Sequence, residues 1–391
     1  MDTGMADRVR AVIARTGLSH KQLAAEIPLD EDKLSKSLNG KRRFSSFEVA
    51  RMGEILGVNA DWLATGTSSH LVGMAARAIG VEATDHTDAI DAVAAKYIDA
   101  VDVLVEFKKR ESKLPALPDI RRTGFFVDEG QRMAAVALKK IDRKTLLEKS
   151  TVDLLAELET KFRVDIASTS QLPIGIDGLS FQDDQIRLVL LSATENWTRK
   201  RFTLAHELGH ILWGDAHNEV LTEKLNPGVN EDYREKRANQ FAAAFLMPED
   251  SVREVSNDKP VTKKIFHALV AKFRVSPSAM AARLKKLGVI DQDRYFEFRS
   301  FRTRDSIAAV PSIKRAEVEE MTIAQASWAP AHLVSDFLAL YRQGDISSKP
   351  LVDLTGQPES TWRELLNDSF RVLAAVGDSE ASEDSEDSFL P

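Results

Sequence analysis

Apolar residues recur at helical spacing through most of this chain, and the recurrence gives way in the middle to short runs of β-type alternation. Over residues 5–65 the pattern predicts five short helices. Val9, Val12 and Ile13 line the first, Ser19 can cap a second that carries Leu23, Ala24 and Ile27, and a third runs over 30–38 to a turn at Asn39-Gly40. Two more cover 46–56 and 59–64. Ala92, Val93, Tyr97, Val101, Leu104 and Val105 form one stripe, which predicts a long amphipathic helix over 88–111, stopped by KLPALPD. Helices over 128–139 and 144–161 follow, then a strand over 163–167. PIGIDGLSFQDDQIRLVLLS reads as two strands around an Asp183-Asp184 turn, the second, 186–191, being the stronger. Further helices are predicted over 202–212, over 235–248 up to Pro248, and as a pair within 262–288 whose second member starts at Ser276-Pro277. FEFRSFRTRD, 296–305, reads as a strand or an extended basic segment, and helices are predicted at 314–325, 330–342 and 359–375.

Composition narrows the class. A chain of 391 residues with 43% hydrophobic residues can build more than one core. The formal charge of -7 gives no overall reason to expect nucleic-acid binding, so local charge has to decide it. The absence of cysteine removes disulfides, thiolate nucleophiles and Cys-ligated zinc together, leaving histidines and carboxylates to hold any transition metal. No secretory core or membrane-length apolar run is visible, which makes a soluble, cytoplasmic protein with no membrane partner the expectation. The strongly acidic end, 377–391, reads as a solvated, disordered tail.

The chemistry concentrates in FTLAHELGH, 202–210. His206 and His210 leave one face of a helix one turn apart and can reach one zinc ion, while Glu207 beside them can activate water on the metal. Two imidazoles call for a carboxylate as third ligand, and Glu235 in EKRANQFAAAFLMP can supply it, with Asn239 one turn on placed to hydrogen-bond a ligand histidine or fix the glutamate. His217 competes for the third place, but it stands seventh after His210 where the compact three-histidine arrangement needs the sixth, so Glu235 is preferred. His217, Tyr233 and His267 remain auxiliary candidates, the last two as donors to an oxyanion. Strand 186–191 is a candidate rail for an extended substrate, with a buried strand that has no free edge as the alternative. Arg201 is expected in a structural salt bridge.

RFTLAHELGHILWG followed by EKRANQFAAAFLMP resembles the ImmA/IrrE family of zinc metallopeptidases, with further similarity in GLSF at 178–181 and FRVSPSAMAARLKKLGVI at 273–290. The resemblance implies Zn2+ held by His206, His210 and Glu235, with Glu207 catalytic, and regulated cleavage of helix-turn-helix repressors. LSHKQLAAEI and LDEDKLSKSLNGKRR resemble an Xre-type helix-turn-helix domain, which implies DNA contacts through Lys33, Lys36, Lys41, Arg42 and Arg43. Asp30, Glu31 and Asp32 oppose that approach, and residues 1–66 carry only one net positive charge.

The expected architecture is therefore multidomain. An all-α helix-turn-helix domain (1–66) precedes a linker with the long amphipathic helix (67–120), an α+β zincin-like metallopeptidase domain (121–291), a mainly helical C-terminal extension (292–376) and the acidic tail (377–391). The long helix packs on the protease or pairs with a second copy as a homodimer. The expected function is a DNA-binding metalloendopeptidase that controls transcription, in stress response or in phage and mobile-element regulation, by cleaving a partner helix-turn-helix repressor. Two other readings stand beside it: a DNA-binding regulator whose peptidase fold senses a signal without turnover, and a toxin-antitoxin or stress-response protein that acts by protein binding.

Overall fold

The computed structural model describes residues 5–16, 20, 23–24, 27, 29–56, 63, 75–78, 87–111, 113–142, 146, 150–216, 227–256, 260–310 and 314–365. The expected tail at 377–391, most of the helix predicted over 59–64, residues 366–375 of the helix predicted over 359–375, and His217 lie outside them. The chain divides into two compact units, Met1–Leu71 and Val72–Pro391.

In the first unit, α1 (Met5–Thr16), α2 (Glu31–Leu38) and α3 (Ser46–Leu56) surround a core of Val9, Ile13, Leu23, Ala24, Ile27, Leu34, Leu38, Val49, Met52 and Leu63. Gly40, at φ 71°, makes the turn after α2 that its sequence position predicts. Arg42 then folds back on the unit, donating to Glu48 at 2.7 and 2.9 Å and to Ser37 at 3.1 Å.

The second unit is organised by a four-stranded sheet in the order β1-β3-β4-β2, formed by β1 (Ala75–Ala78), β2 (Asp165–Thr169), β3 (Ile176–Gln182) and β4 (Arg187–Ser192). β3 pairs antiparallel with β1 and with β4, and β2 pairs parallel with β4. The turn at Asp183 is built by its side chain, which accepts the backbone N–H groups of Gln185 at 2.7 Å and Ile186 at 2.8 Å. β4 thus lies between two partners and offers no free edge, so the expected substrate rail at 186–191 is instead a central, buried strand.

Period-two alternation sends the strands' side chains to two cores. On one face Leu179, Phe181, Leu188 and Leu190 meet α4 (Thr87–Glu106), α15 (Ala331–Gln343) and α16 (Lys349–Thr355). The long amphipathic helix therefore packs on the sheet. Arg110 just beyond it clamps Asp165 of β2 with bonds of 2.7 and 2.8 Å.

On the other face Ile166, Val189 and Leu191 pack with a larger helical layer: α5 (Phe126–Leu138), α6 (Thr151–Phe162), α7 (Trp197–Trp213), α8 (Pro227–Leu246), α10 (Lys263–Phe273) and α11 (Pro277–Lys286). Between them stands α9 (Glu249–Ser256), and Ser276 caps α11 by accepting from Ala279 N at 3.2 Å. Residues 296–305, expected as a strand or an extended basic segment, fall mostly in two short helices, α12 (Gln292–Arg299) and α13 (Thr303–Ala308); Asp291 caps the first by accepting from Arg294 N, and each helix buries one apolar side chain, Phe298 and Ile307. The helix α14 (Lys314–Gln325) follows as its pattern predicts. Arg201 is fully buried, but it donates to Leu146 O at 2.7 Å and Thr151 Oγ1 at 3.1 Å in place of the expected salt bridge.

Glu159, at the end of α6, is buried and accepts from Ile166 N at 3.2 Å. Burial pushes its carboxyl up to about 7, against the backbone donors of Ile166, Ala331 and His332 that favour its charge. The folded state therefore holds this proton more tightly than the unfolded chain, so its contribution to stability is full below the ordinary glutamate range and is lost as pH rises through about 7. Thermal unfolding should show wild type losing up to about 3 kcal/mol relative to Glu159→Gln between pH 4.5 and 7.5.

Candidate metal centre

Helix α7 starts where Asn196 accepts from Arg199 N at 3.1 Å and ends where Gly214, at φ 82°, reverses the chain. Nearly every residue between is buried, because the helix lies between the sheet and α8. Two close approaches set its position. A Cβ on Gly178 of β3 would stand 2.6 Å from Thr203 Cγ2, and one on Gly209 would stand 2.9 Å from Phe241 Cδ1 of α8. Glycine at both points lets α7 approach the strand and the second helix more closely than any side chain would allow.

That approach brings Glu235 of α8 to the two histidines of α7. His206 Nε2 and His210 Nε2 are 3.1 Å apart, and each lies 3.2 Å from a different oxygen of Glu235. Both imidazoles are buried, and among the described residues this is the one trio of histidines and carboxylates whose donor atoms converge within 4.8 Å. The fit to zinc can be tested by distance. Donors at about 2.0–2.1 Å from a tetrahedral zinc stand about 3.3 Å from one another, close to the separations found. The cluster is compatible with a zinc site.

The surroundings orient the donors. Asn239 Oδ1 lies 3.2 Å from His206 Nδ1, in the position expected of a residue that fixes the ring. His210 Nδ1 faces Asp215 Oδ2 at 3.4 Å, an ionic contact off the line of a hydrogen bond. The Gly214 reversal, with Asp215 N donating to His210 O at 3.0 Å, is what folds this carboxylate back under the helix end. Arg237 clamps Asp215 at 2.8 and 2.9 Å, lies 4.1 Å from the Trp213 ring and meets Glu129 at 3.5 Å, while Glu129 accepts from the backbones of Thr123 and Gly124. Burial alone would lower the His210 pKa, but Asp215, Glu235 and Glu207 outweigh it and push it up to about 10. Glu235 is held far below the usual carboxylate range, since the two imidazoles overcome its burial. The carboxylates around His210 thus favour positive charge there.

Glu207 is fully buried. Ser180 Oγ of β3 donates to its Oε2 at 2.8 Å, and Oε1 has no hydrogen-bond partner among the described residues. Of the auxiliary candidates, Tyr233 is half exposed against Phe126 and Lys236, and His267 bonds Ser306 at 3.0 Å and stacks on Phe301. Sequence reasoning missed Ser180, Asp215, Arg237 and Glu129. For Asp215 one signal was available: a glycine just past the helix end predicts a reversal that returns the next residue to the last turn.

The segment that carries the cluster is similar to known proteins. Residues 159–285 match the peptidase M78 family model, the IrrE N-terminal-like domain. The chain is also similar to the radiation response metalloprotease IrrE of Deinococcus radiodurans, 33% identical over 115 residues, which is 28% of this chain and 33% of that protein. It thus spans about one third of this curated relative's length. The IrrE-like similarity and the His-His-Glu cluster together are consistent with the active site of a metal-dependent protease.

Asp215→Asn keeps the shape facing His210 but removes the charge. Zinc affinity, read by chelator competition, should fall roughly 10–100-fold, as is usual when the partner of a ligand histidine is removed.

Proposed function

We propose that Val72–Pro391 acts as a zinc-dependent metalloendopeptidase, and the observation that carries this reading is the convergence of His206, His210 and Glu235 beside a buried Glu207 within an IrrE-like segment. His206, His210 and Glu235 hold the metal, and Asn239 orients the His206 ring. Bound zinc supplies electrophilic polarisation of a carbonyl and acidification of water. Glu207 then serves as the proton carrier. Ser180 holds Oε2, which leaves Oε1 to take a proton from water and deliver it to the leaving amine. Burial excludes bulk water from this exchange and strengthens each charge interaction within it.

The substrate we propose is a partner helix-turn-helix repressor, cleaved in the cytoplasm to control transcription, with Met1–Leu71 as an Xre-like DNA-binding unit that brings the peptidase to its operator. The similarity to IrrE supports the peptidase part. The DNA part rests on the exposed Lys33, Lys36, Lys41 and Arg43 around the end of α2. Lys33 is paired with Asp30 at 2.8 Å and Arg42 with Glu48, so Lys36, Lys41 and Arg43 are the stronger phosphate candidates. No helix among the described residues is long and apolar enough to cross a membrane.

Glu207→Gln should retain near-stoichiometric zinc by metal analysis while abolishing cleavage of a co-encoded repressor, whereas Glu235→Ala should lose both. Wild-type turnover in Glu207→Gln would remove the proton-carrier role. If zinc-loaded wild type cleaves no peptide, the non-hydrolytic sensor reading replaces this one.

Lys41→Ala/Arg43→Ala should weaken DNA binding across sequences and flatten the slope of log affinity against log salt by about 2, near 0.9 for each phosphate no longer neutralised. An unchanged slope removes both side chains from the interface.

A further inference from the structure

β3 is the strand that touches the candidate catalytic group. Gly178 lets it lie against α7, and its Ser180 bonds Glu207 at 2.8 Å. β4 lies along one side of β3. Its other side is covered by β1, antiparallel, with Ala75 opposite Ser180, Ala76 opposite Leu179 and Ala78 opposite Ile176. At the far end of the sheet β2 is bridged to Trp328, Ser168 and Trp328 exchanging two backbone bonds of 2.9 Å. Of the sheet's two sides, the one beside Glu207 is thus the one on which β1 lies.

β1 is unlike the strands inside it. Ala-Ala-Arg-Ala has little β propensity and no alternation, and it falls in a Gly-, Ser-, Thr- and Ala-rich stretch, 64–87, whose composition reads as a linker with a short helix at 71–79; the structure forms a strand over 75–78 instead, because the backbone pairs with β3. Its pairing with β3 is a backbone pairing with a register break between Ala76 and Ala78, which is how an extended peptide adds to a sheet edge. We propose that the outer edge of β3 is a binding site for an extended peptide held by backbone pairing, and that residues 75–78 of this chain are its tethered occupant. Given the peptidase reading, on which this consequence rests, a peptide substrate has to displace the chain's own segment to reach Glu207. A tether presents its segment at about millimolar effective concentration, so a free peptide with a dissociation constant of ~0.1 mM would bind about tenfold more weakly while the segment is in place.

The test uses the zinc-loaded full chain carrying Glu207→Gln, so that nothing is cut, and a fluorescent peptide with the sequence of residues 72–81. Ala75→Pro/Ala76→Pro removes two backbone donors from β1, and a second variant replaces 75–78 by alternating Gly and Ser. Anisotropy should give about tenfold tighter peptide binding to both variants than to the parent. Hydrogen exchange in 176–182 should quicken in both and slow again when peptide is added. Equal affinity for all three proteins, or no binding to any of them, overturns the proposal. The same linker changes with Glu207 intact should lower KM for a peptide substrate. Tighter binding without turnover by any protein defeats the peptidase reading and leaves the edge site standing; turnover with unchanged KM and unchanged affinity does the reverse.

Discussion

The distance between α7 and α8 is the constraint on which the metal centre depends. His206 and His210 sit on one helix and Glu235 on the other, so the trio exists only while the two backbones stay close. Gly209 against Phe241 permits that approach, and Gly130 of α5 does the same from the other side of α8, where a Cβ would meet Arg237 O at 2.8 Å. Stacked Phe241 and Phe245 fill the layer below. A core packed to this density has little slack, so a displacement of α8 is felt as a change in the spacing of the three candidate donors.

Charge is arranged around that geometry with the same economy. Two buried imidazoles lie among Glu207, Glu235 and Asp215, and Arg237 balances the last of these while stacking on Trp213. The line from His210 through Asp215, Arg237 and Glu129 to the backbone at Thr123 and Gly124 ties one histidine of the cluster to the segment that enters α5. His210, Arg237 and Glu129 are buried and Asp215 nearly so, each with a partner, which is the condition under which ionised groups are tolerated away from water. A residue in the 121–124 stretch therefore stands in physical connection with the metal centre without touching it.

The sheet links this centre to the rest of the unit. Its inner strands separate two cores, one holding the metal helices and the other holding α4, α15 and α16. The C-terminal helices thus form part of the wall behind the site. The edge beside Glu207 is filled by a segment whose own sequence has no strand pattern, and that contrast connects the linker to access at the site.

The sequence by itself determined the local elements and the donors. A 3.6-residue period and the spacing of His206 and His210 place two imidazoles on one face, and Ser276-Pro277 starts a helix wherever it folds, because these are properties of a single helix. Helix pattern and the chemistry a zinc ion needs made Glu235 a candidate among several acids, and the resemblance of EKRANQFAAAFLMP to the ImmA/IrrE family singled it out. Only tertiary structure decided how far apart those donors lie, that β4 is enclosed, that 292–299 and 303–308 are helical, and that Ser180 and Asp215 contact the cluster's helix while Arg237 holds Asp215. Each of these depends on which surfaces meet across long stretches of chain: strand order sets which edge is free, burial of Phe298 and Ile307 stabilises helix over extended chain, and a carboxylate acquires its partner from a helix packed beside it. Local spacing carries no information about such meetings, since one segment can face either a neighbour or water until the core that covers it has formed.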